Sequence, residues 1–144
     1  EGFIAKYDPK VAALARSCRT TMRKTLPTAN ELVYDNYQFL AIGYSSTDRA
    51  SDSLLSLAVS PKGVTLCMYY GASLPDPKNI MHGGGSQVRF VNVESAKSLS
   101  APAVRALIRA ANAHGRVPML RTGKGRLIIK AISAKQRPRR PAAR

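Results

Sequence analysis

The sequence predicts an α+β domain: an antiparallel sheet of four to five strands, with an N-terminal helix and a C-terminal helix packed on it, and a basic C-terminal tail. Three observations predict it. Apolar residues recur at helical spacing near each end of the chain. Between them lie four stretches rich in β-branched and aromatic residues and bounded by turn residues. A fifth apolar stretch follows the second helix. At 144 residues the chain is long enough to bury a core of its own as one domain. Neither an internal repeat nor a long linker divides it, so residues 1–134 read as a single domain and 135–144 as the tail.

Asp8 followed by Pro9 supplies an N-cap and a favoured first helical residue, after which Val11, Leu14, Ala15, Cys18 and Met22 continue at helical spacing to Leu26 and Pro27. Arg16, Arg19, Arg23 and Lys24 fall on its other face, the ordinary place for charges on a solvated helix. Residues 28–34 show no decisive period. Strands are predicted at 37–45, 53–60, 64–70 and 87–93. Ser60-Pro61-Lys62-Gly63 has Pro at the second turn position and Gly at the fourth, so the strands on either side form an antiparallel hairpin. Ser100 is predicted to cap the second helix, with Pro102 in its first turn. Val104, Leu107, Ile108 and Ala111 form its buried stripe and His114-Gly115 its stop. A closing strand at 126–132 has Leu127, Ile128 and Ile129 as its apolar centre. The Pro- and Arg-rich tail is expected to make no core.

Charge is distributed unevenly along this plan. Residues 101–144 hold twelve Lys and Arg and no acid, whereas residues 1–100 hold eleven basic residues and all eight acids, so the net +15 is +3 followed by +12. A one-signed field of this kind attracts anionic ligands or a nucleic-acid backbone and says nothing of the fold. Six such side chains on one face of duplex DNA would give a log K against log salt slope near about −5. The alternative is a solubilising arginine-rich surface. No aromatic residue follows Phe90, so the basic segment by itself offers no base-stacking platform and its expected contacts are phosphates. No apolar run approaches the roughly 20 residues that span a bilayer, and the start lacks the pattern of a secretory signal. Cys18 and Cys67 match neither a disulfide framework nor a metal-ligand pair, and read as reduced core thiols of a cytosolic protein.

Two clusters carry candidate chemistry. In Gly83-Gly84-Gly85, followed by Ser86 and Arg89, three residues without Cβ permit close backbone approach, and backbone amides with a guanidinium suit an anion. The segment is not a nucleotide-hydrolase phosphate loop, because Lys followed by Ser or Thr is absent and a strand follows where that loop has a helix. Its other reading is a hairpin connection. Lys135 and Arg137 join it as candidate anion ligands. Tyr34, Asp35, Asn36 and Tyr37 either line a polar pocket or act as a turn with packed rings. No catalytic residue is predicted: the Gly-x-Ser-x-Gly elbow, Ser-x-x-Lys and His-Glu-x-x-His are all absent, and His82 and His114 sit in unrelated contexts.

Several segments in order resemble the YdhG-like family, a domain of unknown function widespread in bacteria. They are Phe3-Ile4-Ala5-Lys6-Tyr7-Asp8-Pro9, Glu31-Leu32-Val33-Tyr34-Asp35-Asn36-Tyr37, Arg49-Ala50-Ser51-Asp52, Leu74-Pro75-Asp76-Pro77, Gly83-Gly84-Gly85-Ser86-Gln87-Val88-Arg89, and Ile132-Ser133-Ala134-Lys135-Gln136-Arg137-Pro138-Arg139-Arg140. The resemblance implies a compact α+β fold and a cytoplasmic setting. One branch is described as a frataxin-like intracellular iron chaperone, so iron enters as a cofactor or cargo by resemblance alone. Asp48, Asp52 and Asp76 are the carboxylates that would serve it. The residues pull against that branch, since exposed iron sites want clustered carboxylates and a net +15 repels a cation.

The leading expectation is therefore a non-enzymatic binding protein with an anion-attracting basic surface, for a phosphorylated ligand or a nucleic-acid backbone. The alternatives are the iron chaperone and an enzyme on a small anionic substrate that uses residues 34–37 and Arg89. No membrane partner is predicted, and oligomeric state is not legible.

Overall fold

Side chains alternate along a strand, and here that alternation sorts the chain into a helix-covered face and a second, open one. In a computed structural model, which describes residues 2–115 and 117–140, six strands form one sheet. They are β1 (Asn30–Asp35), β2 (Leu40–Ser45), β3 (Ser53–Ser60), β4 (Gly63–Met68), β5 (Arg89–Val93) and β6 (Leu127–Ile132). Their spatial order is β5-β4-β3-β2-β1-β6. Neighbours from β1 to β5 are antiparallel, and β6 lies parallel on the outer side of β1.

The domain is α+β as predicted, but its sheet is mixed and six-stranded, which corrects the antiparallel sheet of four to five strands. The added strand is β1, at residues that show no clear period in sequence. Glu31, Val33 and Asp35 share the helix-covered face of β1 while Leu32 and Tyr34 take the open one. Two acids thus occupy positions where a half-buried strand ordinarily shows apolar side chains, and both are buried.

Four α-helices are present among the described residues: α1 (Gly2–Ala5), α2 (Pro9–Thr25), α3 (Ala96–Ser100) and α4 (Pro102–His114). Asp8 caps α2 by accepting from the Lys10 N–H at 3.2 Å, with Pro9 in the first turn. Its buried stripe is Ala12, Ala15, Cys18 and Met22, while Val11 and Leu14 lie at the margin of the core. Ser100 does not cap the second helix. It ends α3, a short helix the sequence reading missed, and Ala101 takes the cap position before Pro102. The stripe Val104, Leu107, Ile108 and Ala111 and the stop at His114-Gly115 are as predicted.

Helix stripes meet the inward side chains of the sheet, Leu55, Leu57, Val59, Leu66 and Met68, in one apolar cluster. The β3–β4 hairpin closes with Ser60 opposite Gly63, whose φ of +139° lies in the region glycine favours. At the β1 edge the closing strand forms as β6; no strand among the described residues pairs with its outer side, and Leu127, Ile129 and Ile132 are 49, 53 and 58% exposed. No helix among the described residues is long and apolar enough to cross a membrane.

Candidate functional site

β1 ends on Asp35, whose side chain points to the helix-covered face and is fully buried. A lone carboxylate there would carry a heavy desolvation cost. Three side chains from both ends of the chain offset it: Lys6 Nζ donates to Oδ2 at 2.6 Å, Gln136 Nε2 to Oδ2 at 2.9 Å, and Arg139 Nη2 to Oδ1 at 3.0 Å. Burial by itself raises the pKa of Asp35, but the bonds from Lys6, Gln136 and Arg139 outweigh it and hold the carboxyl below its ordinary range. Arg139 also donates to the carbonyls of Asn36 and Tyr37 and places its guanidinium 5.8 Å from the Tyr7 ring centre.

The tail, expected to make no core, is tied to the domain through this carboxylate. The described part of the tail is anchored by charge pairing, not apolar packing, and Arg139 is only 5% exposed. Asp35, Asn36 and Tyr37 supply its socket, while Tyr34 pairs with Ala131 of β6. The Tyr7 hydroxyl completes the inner layer, donating to Val59 O at 2.7 Å and accepting from the Leu40 N–H at 3.2 Å. Burial raises the pKa of Tyr7, partly countered by the Arg139 charge.

With Arg139 held, Arg137 and Arg140 stay exposed on either side of it. Arg137 N–H donates to Tyr37 O at 2.7 Å and its guanidinium stacks over the Tyr37 ring at 5.8 Å. Arg140 reaches back to the carbonyls of Lys6 and Ala5 at 3.1 and 3.3 Å. Both arginines border a groove of about 800 Å³ on the open face of the sheet. Ala58 and Thr65, a cross-strand pair, lie in the middle of the groove. Phe39 and Phe90 flank them, each 36% exposed. Lys62 enters from the β3–β4 turn, and among the described residues no acid lines the groove.

His82 and Asn92 finish the far side. His82 and Phe90 exchange both backbone hydrogen bonds at 2.9 Å, so the segment before β5 adds a short outer rung to the sheet. The two rings lie 5.9 Å apart at 32°, and a His82 ring nitrogen is 3.2 Å from Asn92 Oδ1. The sequence reading placed no aromatic residue with the basic segment because none follows Phe90 along the chain. Folding brings Phe39, Phe90, His82 and Tyr37 to it, which was not visible without knowing that β2 and β5 share the open face with the tail.

Other sequence candidates lie elsewhere. Arg89 turns its guanidinium onto the carbonyls of Gly85 and Val88, at 2.5 and 2.9 Å, so it ties the glycine loop to itself. Gly83 has φ +125° and packs near Phe90, whereas Gly84 and Gly85 face open space. Neither this loop with Ser86 and Arg89, nor Lys135, lines the groove; Arg137 does. The carboxylate of Asp52 accepts from Thr47 at 2.8 Å and that of Asp76 from the N–H groups of Ile80 and Met81 at 3.0 and 2.9 Å. Asp48 contributes its carbonyl to Lys130 Nζ at 2.9 Å. Among the described residues no three His, Cys, Asp or Glu side chains gather as metal ligands.

The cysteines divide. Cys18 is fully buried, and burial pushes its thiol up to about 11. Cys67, predicted in the core, lies half-buried on the open face between Ser56 and Phe90. A second charged cluster was missed altogether: Glu31, 4% exposed, accepts from Arg19 at 2.9 and 3.1 Å, from Arg23 at 2.8 Å and from Tyr44 Oη at 3.0 Å. Arg19 and Arg23 therefore do more than solvate the helix.

No family model, curated protein or solved structure matches this chain.

Proposed function

We propose that this chain is a binding protein, not an enzyme, for phosphate-bearing polyanions, and that the groove on the open sheet face is its binding surface. One observation supports the reading above others. Lys62, from the middle of the sequence, and Arg137 and Arg140, from its last ten residues, border one concave surface that no acidic side chain among the described residues lines. In the field of a chain carrying +15, phosphate groups are drawn there and not repelled locally. The anchor at Asp35 supports this role because it fixes the backbone from which Arg137 and Arg140 project. A cytoplasmic setting and membership of the YdhG-like family belong to the same proposal, and the groove does not depend on either.

The test is fluorescence anisotropy with labelled inorganic polyphosphate and with a labelled DNA duplex, titrated over a range of salt. Affinity is expected to fall with log salt. Lys62→Ala/Arg137→Ala/Arg140→Ala is expected to flatten the slope on the duplex by about 2 to 3. Salt-insensitive binding, or an unchanged slope in the triple variant, would overturn the assignment.

A further inference from the structure

The basic rim accounts for an attraction to phosphate but not for the two phenylalanines beside it. We infer that the ligand of the groove is single-stranded nucleic acid, with phosphates against Lys62, Arg137 and Arg140 and bases stacked on Phe39 and Phe90. The inference rests on the polyanion reading above and adds the chemical class of the ligand.

Three features of the groove carry it. Phe39 and Phe90 are both 36% exposed and lie on either side of small side chains, Ala58 and Thr65, so their rings are accessible from a shallow floor. Phe39 leads into β2 and Phe90 belongs to β5, with β3 and β4 between them. Three strand spacings and a register offset of four residues place these positions roughly 19 Å apart, too far to clasp one base and suited to receiving separate bases of one strand. Each base has a π-face, so stacking of this kind tolerates sequence. A duplex keeps its bases inside and would leave both rings unused.

The third feature is how the polar groups are arranged. Arg137 already stacks on Tyr37, which holds its charged plane at the rim, while His82 stacks near Phe90 and meets Asn92. Thr65 and Asn92 offer hydroxyl and amide groups to base edges beside the rings. Charge at the rim and aromatic faces within are the two components that bind single strands, and here the fold gathers them from β2, β5 and the tail.

The experiment uses labelled oligothymidylate and oligouridylate beside a duplex and inorganic polyphosphate, with the full chain and with Phe39→Ala/Phe90→Ala. Single strands are expected to bind more tightly than duplex or polyphosphate. The double variant should lose about 5- to 150-fold per ring on the oligonucleotides with an unchanged salt slope, and nothing on polyphosphate. The chain has no tryptophan, so Phe90→Trp provides a clean second readout, expected to be quenched by oligothymidylate and not by polyphosphate. Comparison of the two oligonucleotides separates DNA from RNA as the source. If polyphosphate binds but single strands bind no better, or the double variant keeps its affinity, stacking is overturned and the polyanion reading stands. If no phosphate polymer binds, the underlying reading fails with it.

Discussion

Arg139 Nη2 reaches Asp35 Oδ1 at 3.0 Å across 104 positions of sequence, and both side chains are buried. The pair joins the end of β1 to the described end of the chain. Removing one member leaves the other charge in a low-dielectric site. Arg139→Ala is therefore expected to cost about 3–5 kcal/mol in urea unfolding. Lys6, whose side chain is 41% exposed, shares the same carboxylate, and Lys6→Ala is expected to cost below about 1 kcal/mol. Equal losses at the two positions would contradict the anchor assigned to Arg139.

Acid should loosen this structure in a defined direction. Burial raises both Asp35 and Glu31, but hydrogen bonds and charges from Lys6, Gln136 and Arg139, and from Arg19, Arg23 and Tyr44, leave both carboxyls lowered. Groups lowered by folding stabilise fully above their unfolded values, near about 4, and lose that contribution as the pH falls through the folded ones. Thermal midpoints are expected to drop as acid enters this window. Asp35→Asn should flatten the profile there as well as lowering it.

Tyr44→Phe removes a buried hydroxyl that donates to Glu31 while leaving the ring in place. The expected cost is about 1 kcal/mol by denaturant unfolding, since all three arginine bonds to Glu31 persist. A phenol titration in the folded protein should show Tyr44 well above its ordinary value, because burial and the neighbouring carboxylate both oppose ionisation.

A Cβ on Gly125 would overlap the Ala29 carbonyl, where the chain passes β1 before entering β6. Gly125→Ala is expected to cost about 1–3 kcal/mol, with amide exchange rising first along β6. Gly84→Ala meets nothing within 4 Å and should stay within about 0.5 kcal/mol of the parent protein.

Local chemistry made much of this fold legible. Asp8-Pro9 marked a helix start and Pro61-Lys62 a hairpin because capping and turn preferences act over a few residues. β1 was obscured because its inward face carries Glu31 and Asp35, whose compensating arginines lie on other elements. The groove was hidden for the same reason in three dimensions. Its aromatic rings and its cations come from segments the linear order separates, and only the sheet order brings them together.

The parallel pairing of β6 with β1 also makes the order of synthesis matter. β1 to β5 and the helices can emerge and pack as a meander, but one edge of β1 stays open until residue 132 is available. Until Gln136 and Arg139 follow, the carboxylate of Asp35 has only Lys6 of its side-chain partners. A nascent or shortened chain that stops before β6 therefore exposes a bare strand edge beside an undercompensated charge, a combination that favours recognition by chaperones and proteases.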